Sequence, residues 1–99
     1  MKYLSAEEVL ILHDRIIEET GGAHGLRDIG LLLSALERAR AEFGGKERYP
    51  DLFTKAGSIF ESIARNHAFI DGNKRTAMAA TARFLFANGY DLAARNMAL

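Results

Sequence analysis

Residues 67–76 are the part of this sequence with the most side chains that could do chemistry. They provide an imidazole, a carboxylate, an amide and two cations, from His67, Asp71, Asn73, Lys74 and Arg75 respectively. Histidine is the side chain that most readily accepts a proton near neutral pH, so His67 is the candidate general base. It could take the proton from a hydroxyl group that attacks a phosphorus atom, while nearby cations stabilise the charge on the transferred group.

The second half of this segment is predicted to bind an anion at the start of a helix. Such a start presents unpaired backbone N–H groups and a partial positive charge, which suit phosphate. Gly72 lets a ligand approach the backbone closely, and Asn73 either caps the helix or donates to a phosphate oxygen. Lys74 and Arg75 would lie in the first turn, where the helix dipole disfavours cations by up to about 1 kcal/mol. Their position therefore indicates that a bound anion compensates their charge, although a solvated helix start is the alternative.

Asp71 precedes these cations and has two candidate roles. In phosphate sites Mg²⁺ is commonly held by one or two carboxylates together with phosphate oxygens, so Asp71 could be a magnesium ligand. It could also serve only as a helix cap, and the two roles are compatible. The residues alone leave both roles of Asp71 open.

Four helices are expected to position this segment, over residues of about 5–20, 28–43, 51–66 and 73–88. Ser5 and Glu8 have the spacing of a capping box, and Asp28 and Asp51 precede the next two helices. Gly44 and Gly45 are read as the end of the second helix. No segment shows clean strand alternation beyond short stretches such as Tyr3-Leu4.

The fourth helix is apolar almost all round and is therefore expected to be central and buried. Its apolar residues are Ala77, Met78, Ala79, Ala80, Ala82, Phe84, Leu85 and Phe86. The tail from Asp91 is only weakly helical. The pattern predicts an all-α fold, a compact helical bundle with a central buried helix after the segment that carries chemistry.

Composition excludes several classes of function. The 99 residues fit one domain, and 13 basic residues balance 13 acidic ones, which argues against a general nucleic-acid binder. The absence of cysteine excludes disulfides and thiolate chemistry, and the spacing of His13, His24 and His67 resembles no zinc site. His13 lies on an apolar helix face and is expected to be structural. With no signal peptide and no apolar run near the ~20 residues that span a bilayer, we expect a cytoplasmic protein.

The string His67-x-Phe69-x-Asp71-Gly72-Asn73-Lys74-Arg75 resembles the signature of the Fic/Doc family, H-x-F-x-[D/E]-[G/A]-N-[K/G]-R. The resemblance extends from about Leu10 onward. Further pieces are similar to the Doc (death-on-curing) branch, namely Gly21-Gly22, Gly25, Arg27-Asp28, Gly44-Gly45, Tyr49-Pro50 and Asn88-Gly89-Tyr90.

The resemblance implies a role for each position of the signature. His67 would activate the target hydroxyl, Asp71 would bind Mg²⁺, and Phe69 would pack the segment into the core. Asn73 and Arg75 match residues that contact nucleotide phosphates, and Gly72 and Lys74, argued above from the helix start, are expected to belong to the same phosphate site. Adenylylating Fic enzymes usually carry glycine at the position of Lys74. In the Doc branch lysine takes that place, the nucleotide binds in the opposite direction, and the γ-phosphoryl group of ATP is transferred.

The resemblance thus implies a Doc-like toxin of a toxin–antitoxin system, a protein kinase that uses ATP and Mg²⁺. Its expected substrate is a Ser/Thr hydroxyl of a translation factor similar to elongation factor Tu, so that translation is arrested. An antitoxin protein is the expected partner, and nucleic acid and membranes are not. Two alternatives stay open, a Fic-type adenylyltransferase and a non-catalytic module that binds a nucleotide or another protein.

The sequence departs from the family pattern in two respects. Ala68 stands where many members have proline, which removes no functional group. Residues 1–99 are read as a single Fic/Doc-like domain that ends soon after the fourth helix, so a closing C-terminal helix is expected to be missing or shortened. Neither the target, the antitoxin nor the oligomeric state follows from the sequence.

Overall fold

A computed structural model of the chain describes residues 1–91. In this part of the chain the elements are α1 (Ala6–Thr20), α2 (Ile29–Arg38), β1 (Glu42–Phe43), β2 (Lys46–Glu47), α3 (Leu52–Asn66) and α4 (Asn73–Ala87). The predicted all-α bundle is confirmed, since the strands form only a small hairpin. None of these helices is both long enough and apolar enough to cross a membrane.

Side-chain caps start three of the four helices, as predicted. Ser5 Oγ accepts the N–H of Glu8 at 3.1 Å while the Glu8 carboxylate accepts the N–H of Ser5, so the capping box is present. Asp28 and Asp51 each accept a backbone N–H of the following first turn at 2.8 Å. Such caps satisfy donors that the helix itself leaves unpaired.

The predicted extent of α2 is wrong, because the helix ends at Arg38 and not near Phe43. The residues beyond it form an antiparallel hairpin in which Phe43 pairs with Lys46. Gly44 and Gly45 have φ of 57° and 80° and make the two-residue turn of that hairpin. Two consecutive residues with positive φ match the twist of a tight hairpin, and glycine adopts them without steric cost. The glycine pair therefore closes a hairpin and does not end a helix.

A buried lysine joins the hairpin to the bundle. Lys55 of α3 is only 1% exposed, and its ammonium group donates to the carbonyl of Ala39, just beyond α2, at 3.1 Å. The same group lies 3.4 Å from a carboxylate oxygen of Glu47 in β2. A buried cation needs such partners, so Lys55 fixes the end of α2 and the second strand together.

Helix α4 packs between α1 and α3, but it is not buried all round as predicted. Its buried face includes Thr76, Ala80 and Phe84, whereas Met78 and Phe86 are 65% and 56% exposed. α3 contributes Ile59 and Ile63 to the core, and the other fully buried apolar side chains include Val9, Leu32 and Phe69. Two predictions fall on residues 92–99, which lie outside the described part of the chain. They are the weakly helical tail and the missing or shortened closing helix.

Candidate active site

The residues that connect α3 to α4, 67–72, form a loop that we call the motif loop. It borders a cleft of about 370 Å³ whose lining residues are Ala64, His67, Ile70, Asp71, Gly72, Asn73, Lys74 and Arg75. Every predicted site residue except Phe69 therefore lies at one cleft. Phe69 is 2% exposed and is packed in the core, as the resemblance implied.

His67 ends α3 in an unusual backbone conformation. Its φ of 53° and ψ of 48° are left-handed, and no other non-glycine residue among 1–91 has a positive φ. His67 is exposed, and no described residue forms a hydrogen bond to its ring. The imidazole is therefore free to accept a proton from a ligand in the cleft.

A glycine-rich segment of residues 21–28, the glycine loop, lies along the motif loop. Leu26 and Phe69 form an antiparallel bridge, and two N–H groups of the glycine loop donate to the carbonyl of Ala68 at 2.7 and 3.0 Å. The site thus depends on a segment about 40 positions earlier in the chain. The sequence singled out the glycines and Arg27-Asp28 of this loop, but their partner in the fold could not be read from them.

The carboxylate of Asp71 is held by two backbone donors. The N–H of Ala23 in the glycine loop donates to one oxygen at 3.1 Å, and the N–H of Gly72 donates to the other at 2.8 Å. These bonds, followed by the guanidinium of Arg75 at 3.6 Å, hold the pKa of Asp71 below its ordinary value. Asp71 is therefore anionic near neutral pH.

This carboxylate suits a magnesium ion that arrives with phosphate. Each oxygen of Asp71 retains a lone pair beyond the one used by its N–H donor, and 46% of the side chain is exposed. Within residues 1–91 no cluster of three or more His, Cys, Asp or Glu side chains could hold a metal ion. The protein would supply one ligand, and phosphate and water oxygens would supply the rest, which is the usual arrangement for Mg²⁺.

Asn73 binds the backbone of the motif loop. Its side chain is 9% exposed, and it accepts the N–H of Phe69 at 3.0 Å and donates to the carbonyl of the same residue at 2.9 Å. The helix cap is Gly72, in the left-handed region, and it forms no side-chain capping bond. The alternatives in which Asn73 or Asp71 caps α4 are therefore wrong. The N–H groups of the first turn stay available to an anion.

The two cations of the first turn differ in their surroundings. Arg75 donates to the hydroxyl of Thr20 and, at 3.0 Å, to the carbonyl of Gly21, and its guanidinium faces Asp71. Lys74 is exposed and has no hydrogen bond or ion pair with any residue from 1 to 91. Arg75 thus links α4 to the end of α1, while Lys74 is the first-turn cation that has no countercharge within the described residues.

The remaining histidines have structural surroundings. His13 of α1 is 2% exposed, its ring stacks on Phe69 at 3.9 Å, and its Nε2 lies 2.8 Å from the carbonyl oxygen of Asp71. Because a carbonyl only accepts, Nε2 carries the proton. His24 lies between the carboxylates of Asp14 and Glu18, at 3.3 and 3.0 Å. The predicted structural role of His13 is confirmed.

Sequence comparisons with known proteins identify the family of this chain. The sequence profile of the Fic/DOC family matches residues 3–85. A protein of Mycolicibacterium smegmatis named "Toxin Doc" is 46% identical over 93 residues, which cover 94% of this chain and 69% of that protein. "Protein kinase doc" of Escherichia phage P1 is 37% identical over 89 residues, covering 90% of this chain and 70% of the phage protein. This chain belongs to the Fic/Doc family.

Proposed function

We propose that this chain is a Doc-type protein kinase that transfers the γ-phosphoryl group of ATP to a Ser/Thr hydroxyl of a protein. The observation that supports this most is the shared cleft. It places an exposed imidazole at His67, an uncapped helix start at Gly72 and an uncompensated ammonium at Lys74 on the same surface. A base beside a phosphate site is what phosphoryl transfer to a hydroxyl requires.

In this proposal each side chain of the site has its own role in the reaction. His67 accepts the proton as the substrate oxygen forms its bond to the γ-phosphorus, and the bond from that phosphorus to the β–γ bridging oxygen breaks, releasing ADP. Lys74 and the open N–H groups of α4 stabilise the charge on the phosphate oxygens. Asp71 would hold Mg²⁺, which when bound neutralises phosphate charge. Arg75 and Asn73 fix the first turn and the motif loop, and direct contact of either with phosphate stays a prediction.

Lys74 favours transfer of the γ-phosphoryl group over transfer of AMP. Its side chain lines the cleft at the position where adenylylating Fic enzymes usually have glycine. One relative carries the name "Protein kinase doc". ATP labelled at the α or the γ position separates the two reactions, and α label on the protein target would contradict the kinase proposal.

The decisive experiment is a transfer assay with γ-labelled ATP, Mg²⁺ and purified elongation factor Tu as the target. We expect transfer by the wild-type protein and a loss of about 10²–10⁴-fold in His67→Ala. His24→Ala is the matched control, because His24 is also exposed but lies outside the cleft. Equal activity of wild type and His67→Ala would rule out the assignment of the base. Nucleotide binding without transfer to any translation factor would favour a non-catalytic module.

The biological role that we propose is that of a toxin in a toxin–antitoxin system. The relative named "Toxin Doc" supports this role, which requires a cytoplasmic protein that arrests translation and an antitoxin protein that blocks the cleft. Induced expression should stop growth and incorporation of labelled amino acids, and His67→Ala should not. Arrest that persists in His67→Ala would separate toxicity from phosphoryl transfer.

A further inference from the structure

The His67 ring is carried by a left-handed turn and forms no hydrogen bond with any residue among 1–91. In the described residues, polar restraint of His67 therefore acts on its backbone and not on its ring. The backbone of His67 is left-handed, a conformation that a non-glycine residue adopts only when its surroundings impose it. The groups that impose this conformation therefore decide where the base points.

The guanidinium of Arg27 provides the main side-chain restraint at this position. Its Nε donates to the carbonyl oxygen of His67 at 2.8 Å, and its Nη2 donates to the same oxygen at 2.5 Å and to that of Asn66 at 3.3 Å. The backbone N–H of Arg27 also donates to the carbonyl of Ala68 at 2.7 Å. One residue of the glycine loop thus binds three consecutive carbonyl groups around the base.

We infer that Arg27 is a positioning residue for His67, which acts by holding the left-handed turn that presents the imidazole to the substrate hydroxyl. The effect of Arg27 on the position of the His67 ring is inferred from geometry alone. Its effect on catalysis rests in addition on the proposed function. Arg27 does not line the cleft, and its donors are directed at backbone carbonyls. It is therefore not a phosphate ligand in this arrangement.

The planar fork of arginine is essential to this role. Arginine presents several donors in a fixed geometry and can bind two neighbouring carbonyl groups at once, whereas lysine offers a single ammonium on a flexible chain. Lysine at position 27 should therefore restore the bond to one carbonyl but not the restraint on the turn. This difference separates positioning from a simple need for positive charge.

The test compares Arg27→Ala and Arg27→Lys with Arg65→Ala. Arg65 is a suitable control because it is an exposed arginine in the last turn of α3 whose guanidinium, among residues 1–91, pairs with Glu61 alone. We expect kcat for phosphoryl transfer to fall about 10–100-fold in Arg27→Ala, with KM for ATP changed by less than about twofold. Arg27→Lys should recover part of kcat, and Arg65→Ala should match the wild type.

A second measurement follows the ring without using activity. In protein with isotope-labelled histidine, NMR resolves His67 from His13 and His24, which serve as internal references. Arg27→Ala should shift and sharpen the His67 signals alone, because only that ring gains freedom. An unchanged His67 signal, or equal changes at all three histidines with a lower melting temperature, would overturn the inference. If the wild type transfers no phosphate, the proposed function fails, but the NMR comparison still decides whether Arg27 holds His67.

Discussion

The side chain of Asn73 forms a two-point contact with the backbone of Phe69, accepting its N–H at 3.0 Å and donating to its carbonyl at 2.9 Å. All four atoms are in a buried environment, where an unpaired polar group is costly. Since Phe69 also stacks on His13 and is bridged to Leu26, this contact holds the centre of the motif loop. Asn73 thereby connects the first residue of α4 to the loop that presents His67.

Asn73→Ala should lower the free energy of unfolding by about 2–4 kcal/mol, because both backbone groups of Phe69 lose their partner. Urea denaturation followed by circular dichroism measures this change. Asn66→Ala is the matched control, since that amide makes one described side-chain bond, to the carbonyl of Leu31, and should cost about 1 kcal/mol. An Asn73→Ala variant as stable as the control would show that the two-point contact is not maintained in solution.

A methyl group at Gly22 should displace the carboxylate of Asp71, because it would lie 2.5 Å from Oδ2. Gly22→Ala should therefore weaken Mg²⁺-dependent nucleotide binding about 10-fold, the effect expected when the support of a metal ligand is disturbed. Gly21→Ala is the control, since Gly21 also has a positive φ but a methyl group there meets no atom within 4 Å. Both variants should lose some stability to backbone strain.

Calorimetric titration with Mg²⁺ and ATP separates the two glycine variants. If the affinity for Mg²⁺ and ATP falls equally in both variants, strain in the glycine loop explains the loss. That result would contradict a specific effect on Asp71.

Asp71 should make stability depend on pH in the acidic range. Its pKa is lower in the folded protein than in the unfolded chain, through the N–H groups of Ala23 and Gly72 and then Arg75. The stabilisation is therefore complete above the unfolded pKa of about 4 and is lost as the pH falls through the folded pKa. Asp71→Asn should be less stable than the wild type near pH 7, and the difference should shrink below about pH 4.

Thermal unfolding from pH 7 down to pH 2 measures that difference. If the difference in thermal stability between wild type and Asp71→Asn stays constant over the whole pH range, the two N–H donors do not stabilise the ionised carboxylate.

Removing the countercharge of Lys55 should destabilise the protein. Glu47→Ala leaves a buried ammonium with the carbonyl of Ala39 and the ring of Tyr3, which its nitrogen faces at 5.6 Å. We expect a loss of about 1–3 kcal/mol in urea denaturation, less than for a fully buried pair because Glu47 is 44% exposed. Glu42→Ala is the control. Glu42 is opposite Glu47 in the hairpin, so removing its carboxylate removes a repulsion between like charges. This variant should not lower the free energy of unfolding.

Features that depend on neighbouring residues could be predicted from the sequence. The caps at Ser5, Asp28 and Asp51 were all located, because each acts within its own first turn. The end of α2 was missed, since Gly44 and Gly45 suit both a helix stop and a tight turn. Only the pairing of the two strands decides between them.

Features that depend on the fold could not be predicted in the same way. A lysine in an amphipathic helix is normally read as exposed, so the burial of Lys55 becomes visible only once Ala39 and Glu47 are placed around it. The contiguous motif brought the site residues to one cleft as expected. It could not show that Asn73 binds Phe69 or that Arg75 binds the end of α1, because those partners belong to the three-dimensional arrangement.

The bonds from the first 27 residues to the motif loop have a consequence for the order of folding. His13, Ala23 and Arg27 contact residues 40 to 58 positions further along the chain. Closing segments of this length has an entropic cost, so we expect these contacts to form after the local helices. The helices should therefore be able to form before the cleft around His67 is complete. The cleft should be complete only when residues 13–27 have packed against the motif loop.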